Sequence, residues 1–270
     1  MKHFTKYMFG AAVVLAGGVA ICGCDDISSD DRYIELPAVE AKRVVLLEEF
    51  TGQYCVNCPT AHEVIESLLE QYPDNLISVS IHGGSDGNSI SEDSPNMVGL
   101  RNTDGAAYTD ANKVAAFPAG IVNRTSGVET SDQWSADIRK ALEKASDVEM
   151  SLTATLSDDA TKIEISTEVS PYENISANLQ LWVVESGIQA LQRTPQGYKI
   201  DYVHNHVFRG AVNGLNGEAV DLITRQPQQF SHEIAVKDKW NIENLAIVAF
   251  VYNGSGVIQA IQAEVKPSAD

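Results

Sequence analysis

The sequence predicts an α/β domain followed by an all-β domain, and three observations carry that prediction. An apolar run at Val44–Phe50 leads through Thr51-Gly52 into Cys55-Val56-Asn57-Cys58, and a helical stripe (Ala61, Val64, Ile65, Leu68, Leu69, Tyr72) follows. A second strand-like run, Leu76–His82, completes a strand–helix–strand unit, which favours parallel pairing. From Val148 the apolar period changes from 3.6 to 2. The first domain therefore spans 43–147 and the second 148–267.

In chain order, Val44–Phe50 has the length of a buried strand and is interrupted only by Glu48 and Glu49. Pro59 suits a first helical position, where its missing N–H would be an orphan donor anyway, and Pro73 stops the helix. Residues 83–109 are rich in Gly, Ser, Asn and Asp and read as an insertion, either shaping access to the active end of the sheet or decorating it. Its carboxylates Asp86, Glu92 and Asp93 do not match an EF-hand. A short helix is expected over Tyr108–Ala115, leading into a strand opened by Phe117-Pro118. Thr130 caps a last helix with Gln133 at the reciprocal position, burying Trp134, Ile138, Ala141, Leu142 and Ala145. Between them only Thr125–Glu129 is free to form an edge strand, so that strand is short or missing.

In the second domain, alternation at Val148–Leu156, Ile163–Val169 and Phe230–Val236 joins the apolar runs Leu179–Glu185 and Leu245–Tyr252. Asn253–Gly256 turns the last of these into Val257–Val265. Roughly seven strands in this length indicate a β-sandwich of immunoglobulin-like type without a cysteine pair. On a strand, His204 and His206 would share one face, as two metal ligands need, with His232 a remote third. The competing reading is a polar network in which Arg209 pairs with a carboxylate; no metal and no cofactor is assigned.

The Cys55–Cys58 spacing carries the chemistry. Cys55 beside a helix N-terminus favours the thiolate that attacks disulfides, and a thiol three residues on can close the ring and release the mixed disulfide. A structural disulfide or half of a zinc site are the alternatives, although no second C-x-x-C exists to complete the latter. The net charge of −18 opposes nucleic-acid binding. Lys2, Lys6 and the apolar run Met8–Ile21 form a signal peptide over 1–23, too short to span a bilayer. Gly23-Cys24 resembles a bacterial lipobox, with Cys24 lipidated, and residues 24–42 are an acidic tether.

The stretch around Cys55 resembles the thioredoxin-like superfamily. That resemblance implies a buried acid at Glu49 exchanging protons with Cys58, and a cis-proline at Pro118 facing the site. Departures are the Val-Asn pair, Tyr54 in place of tryptophan, and Pro59. The lipoprotein leader, EEFTGxxCxNCP, FPAGxVNR and HNHVFR together resemble the Omp28-related outer-membrane lipoproteins of Bacteroidota, over most of the mature chain. The expectation is a membrane-anchored thiol–disulfide oxidoreductase acting on protein or peptide substrates, held at the outer membrane on its surface or periplasmic side. A surface binding or adhesion lipoprotein with a redox-silent scaffold is the second reading. A copper or zinc carrier using both thiols and a histidine is the third.

Overall fold

The computed structural model describes residues 42–85 and 87–268, which belong to one compact unit. The signal peptide, Cys24, nearly all of the tether and Asp86 lie outside the described residues. The first elements are β1 (Val45–Thr51), α1 (Cys58–Gln71), β2 (Leu76–His82), α2 (Thr103–Ala111), β3 (Ala119–Val122) and α3 (Ser131–Leu142). β1 and β2 pair in parallel from Val45↔Leu76 to Thr51↔His82, and β3 runs antiparallel along the other side of β1.

Period-2 alternation sorts these strands' side chains between two layers. Val45, Leu47 and Leu76 pack under Ala61, Ile65 and Leu68 of α1 and under Trp134 and Ile138 of α3. The opposite row, Leu46, Phe50, Ile77, Val79 and Ile81, packs on an aromatic core that includes Tyr108, Trp182, Phe208 and Phe250. Gly120 lets α3 approach closely: a Cβ there would lie 2.7 Å from the Trp134 indole.

The remaining strands are β4 (Val148–Leu156), β5 (Lys162–Pro171), β6 (Ile175–Glu185), β7 (Ile188–Thr194), β8 (Gly197–His204), β9 (Val207–Ala211), β10 (Glu218–Leu222), β11 (Gln228–Ala235), β12 (Leu245–Asn253) and β13 (Gly256–Lys266). Among the described residues they join the first strands in one 11-stranded mixed sheet, ordered β11-β5-β4-β13-β12-β6-β9-β2-β1-β3, with β10 also on β6. Only the β7–β8 hairpin stands outside it.

This arrangement overturns the expected pairing of a thioredoxin-like α/β domain with a separate immunoglobulin-like sandwich. β9 joins the two halves: Val207 pairs in parallel with Ser80 of β2, while Val207–Ala211 runs antiparallel to β6. Left open, the β2 edge would present unpaired N–H and C=O groups; β9 covers it. At its far end the sheet turns over, so Ile163, Ile165 and Val169 share a core with Leu179, Leu181 and Val183 of β6 and Ile247, Ala249 and Val251 of β12. Face-to-face packing is therefore present, but within one continuous sheet.

Smaller differences have local causes. α2 begins five residues before the expected start, because Asn102 accepts a bond from Gly105 N–H and caps it. Thr130 occupies the N-cap of α3, but its hydroxyl donates to Asp132 and makes no cap bond. Thr125–Glu129 contributes a single bridge, Gly120↔Glu129.

Candidate functional site

The site is built where β1 ends. Thr51 closes the strand, Cys55 N–H donates to Gly52 O (3.0 Å), and α1 starts at Cys58 with Asn57 as N-cap and Pro59 in its first turn. Cys55 and Cys58 are joined by a disulfide. Cys55 is partly exposed, whereas Cys58 is fully buried. Of the two, only Cys55 can meet a macromolecule without rearrangement.

The adjacent glutamates of β1 point to opposite faces. Glu48 turns to the aromatic core, where Arg124 Nε reaches its Oε1 at 2.6 Å and the guanidinium lies over the rings of Tyr252, Phe250 and Trp182. Burial lowers the Arg124 pKa, but Glu48, Tyr252 and Tyr108 outweigh it and hold the group above its ordinary value. Glu49 faces α1, is fully buried, and neither carboxylate oxygen has a hydrogen-bond partner; the nearest cationic candidate is His62 Nε2 at 3.6 Å.

Glu49 belongs to a polar row. On the helix-facing side, β1 passes from Val45 and Leu47 to Glu49 and Thr51, and β2 from Leu76 to Ser78, Ser80 and His82. His62 of α1 closes over this row, bonded to Thr51 Oγ1 (3.0 Å) and to Tyr202 OH (2.9 Å). His204 lies beside it, its ring centroid 5.3 Å from that of His82 and 6.4 Å from that of His62. An open cavity of about 420 Å³ is lined by these three histidines, Tyr202, His206 and the carboxylate-bearing face of α1. Burial, then the neighbouring histidines, hold His82 well below its usual value. Burial lowers His204 to about 3 and, with Glu49, Glu63 and Glu66, raises Tyr202 to about 12.

His62 is bonded on both ring nitrogens and His82 is buried, so neither is a free surface histidine. One sequence expectation changes here. His204 ends β8 while His206 sits in the following turn at φ 56°, so the pair does not share a strand face. His206 faces Glu66 at 4.0 Å, and His232 pairs with Glu218 at 2.8 Å. Arg209 does meet a carboxylate, Glu185, at 3.2 Å.

The β7–β8 hairpin, unread in the sequence, straps the motif. Gln192 Nε2 donates to Cys55 O (2.9 Å) and Gly52 O (3.3 Å), and Arg193 N–H donates to Gln53 O (2.7 Å). Buried Gln53 donates to Val98 O and Leu191 O and accepts from Ile90 and Leu100 N–H, tying hairpin and 83–109 segment to the Cys55 loop. Gly52 allows the close approach: a Cβ would lie 2.5 Å from Asn88 O. Lone glutamines carry no motif, so no sequence signal marks these two.

The Phe117–Pro118 peptide is cis. Phe50 pairs with Ala119, which places Pro118 opposite Thr51, at the same end of the sheet as Cys55. The cavity above the polar row, the strapped Cys55 loop and Pro118 thus share that end.

A family model for "Outer membrane protein Omp28" matches residues 105–269, more than half of the chain. Among solved structures, the chain resembles HBP35 of Porphyromonas gingivalis at 17% identity and a TM-score of 0.65, covering 85% of this chain and 78% of that one. It also resembles a protein from Agrobacterium tumefaciens at 16% identity and a TM-score of 0.50, covering 82% and 94%. A domain of the outer membrane lipoprotein Omp28 from Porphyromonas gingivalis aligns at 21% identity and a TM-score of 0.33, covering 46% and 92%. A search of curated proteins found no match. No helix among the described residues is long and apolar enough to cross a membrane. The chain belongs to the Omp28 family of outer membrane proteins, and its place is the outer membrane.

Proposed function

We propose that this protein is an outer-membrane thiol–disulfide oxidoreductase acting on proteins or peptides, with Cys24 as the lipidated residue. One observation carries the reading: a partly exposed Cys55 is bonded to a fully buried Cys58 at the start of α1, the helix whose His62 lies 3.6 Å from the buried carboxylate of Glu49. In the reducing direction, the Cys55 thiolate attacks a substrate disulfide, forming a mixed disulfide and releasing one substrate thiolate. Cys58 then gives its proton to Glu49 and attacks Cys55 Sγ, releasing the second substrate thiolate. Two electrons pass to the substrate and the intramolecular disulfide is regenerated; oxidation is the same sequence reversed. Pro118, half-exposed opposite Thr51, positions the substrate backbone.

The test is turnover of a model dithiol or disulfide peptide. Cys55→Ser is expected to abolish it and Cys58→Ser to trap the mixed disulfide; unchanged turnover in Cys55→Ser would sink the assignment. A second reading, a binding lipoprotein with a quiet disulfide, is favoured by Tyr198, Ile200 and Val203, which stand 62%, 78% and 47% exposed on β8. Undiminished partner binding by a Cys55→Ser/Cys58→Ser variant that has lost turnover would support it.

A further inference from the structure

We propose that His82, His204 and His62, backed by Glu49, form a site for a divalent transition-metal ion such as zinc, in the cavity lined by α1, the end of β2 and the end of β8. Buried polar atoms there are short of hydrogen-bond partners: Nε2 of His204, both oxygens of Glu49, and the ring of His82, which meets only the backbone of Ser80. Such orphans are rare in folded proteins, because each costs the desolvation of an unmade bond, about 1–3 kcal/mol. All belong to residues at most 2% exposed, and the cavity that His82 and His204 line is roomy enough for an ion.

The chemistry of the set suits zinc. Metal-binding imidazoles must be neutral with a free lone pair, and burial keeps His82 and His204 neutral at physiological pH. A ligating histidine is normally oriented through its other ring nitrogen. His204 meets the backbone of Ala190 and Leu191 while its Nε2 stays unpartnered, and His62 Nδ1 is held by Tyr202 OH at 2.9 Å. The His82 and His204 centroids, 5.3 Å apart, match two imidazoles on one tetrahedral ion with bonds of about 2.0–2.1 Å, whereas His62, 6.4 Å from His204, has to move inward to join them. No three His, Cys, Asp or Glu side chains among the described residues already converge as a ligand set. His62 completes one by exchanging Thr51 Oγ1 for the ion, a rotation guided by its Tyr202 bond. Glu49, 3.6 Å from His62 Nε2, supplies the negative charge that offsets the dication, and Glu63, Glu66 and Glu70 at the rim favour cation entry.

The site uses no thiol, so it is tested on the full-length protein with its disulfide intact, separately from turnover. Zn²⁺ is titrated against a competing chelator, with Mg²⁺ as control, and Co²⁺ replaces zinc for visible absorption. The expected result is one Zn²⁺ per chain and a tetrahedral Co²⁺ spectrum. His82→Gln and His204→Gln should lose both signals, and Tyr202→Phe, which spares every ligand, should weaken affinity by about 10–100-fold. Folding of each variant is checked by circular dichroism. Absence of saturable Zn²⁺ binding by the folded wild-type protein would overturn the proposal. So would unchanged affinity in Tyr202→Phe and the histidine variants, or binding that appears only after reduction and vanishes in Cys55→Ser/Cys58→Ser.

Discussion

Arg124→Met is the perturbation with the most legible cost. Arg124 Nε lies 2.6 Å from Glu48 Oε1, the Glu48 side chain is 1% exposed, and the guanidinium sits 4.4 Å from the Tyr252 ring centre. Methionine keeps most of the aliphatic packing but leaves a buried carboxylate without its cation, which costs about 3–5 kcal/mol. The lost stack on Tyr252, Phe250 and Trp182 adds about 1 kcal/mol. At about 2–4 °C per kcal/mol for a body of this size, Tm should fall by about 10 °C or more. The assay is a double-mutant cycle with Glu48→Gln, read by urea unfolding and tryptophan fluorescence. Glu48→Gln/Arg124→Met should recover most of the loss, since removing both partners eliminates the uncompensated charge. A coupling below about 1 kcal/mol would refute the reasoning and leave Arg124 a solvated surface residue.

Other expectations follow from the strap and the close approaches. Gln192→Leu removes the donor to Cys55 O and Gly52 O, and should cost about 1–3 kcal/mol by denaturant unfolding. The same variant should alkylate faster at Cys55 once reduced; an unchanged rate would show that the hairpin does not restrain the loop. Gly120→Ala places a Cβ 2.7 Å from the Trp134 indole and should destabilise by about 1–3 kcal/mol, with a blue or red shift of tryptophan emission. Glu185 is raised above its usual 4.5 by burial, against the opposing pull of Asn241 N–H and Arg209. Its folded state therefore disfavours ionisation, so its contribution is full below pH 4.5 and is lost as pH rises through the folded value. Glu185→Gln should flatten the decline of unfolding free energy above pH 4.5; an identical slope in both proteins would remove this account.

What the sequence determined by itself is local. Val44–Phe50, the C-x-x-C and its helix stop at Pro73, and Leu76–His82 each rest on period, caps and punctuation within about 15 residues, and β1, α1 and β2 form there. The alternating runs at 148–156, 163–169 and 230–236 likewise became strands, since an apolar row every second residue can be buried on one side only as a strand, and the apolar run at 245–252 became one buried on both faces. Even the polar row was written in β2, where Ser78, Ser80 and His82 alternate with Ile77, Val79 and Ile81. What period does not encode is which strand pairs with which. One contact register, Val207 beside Ser80, merges two expected domains into a single sheet. Gln192 on Cys55 and Tyr202 on His62 span 137 and 140 residues. Such contacts depend on edges, orphan polar groups and volumes that exist only once the chain has folded, and so the tertiary structure alone decided them.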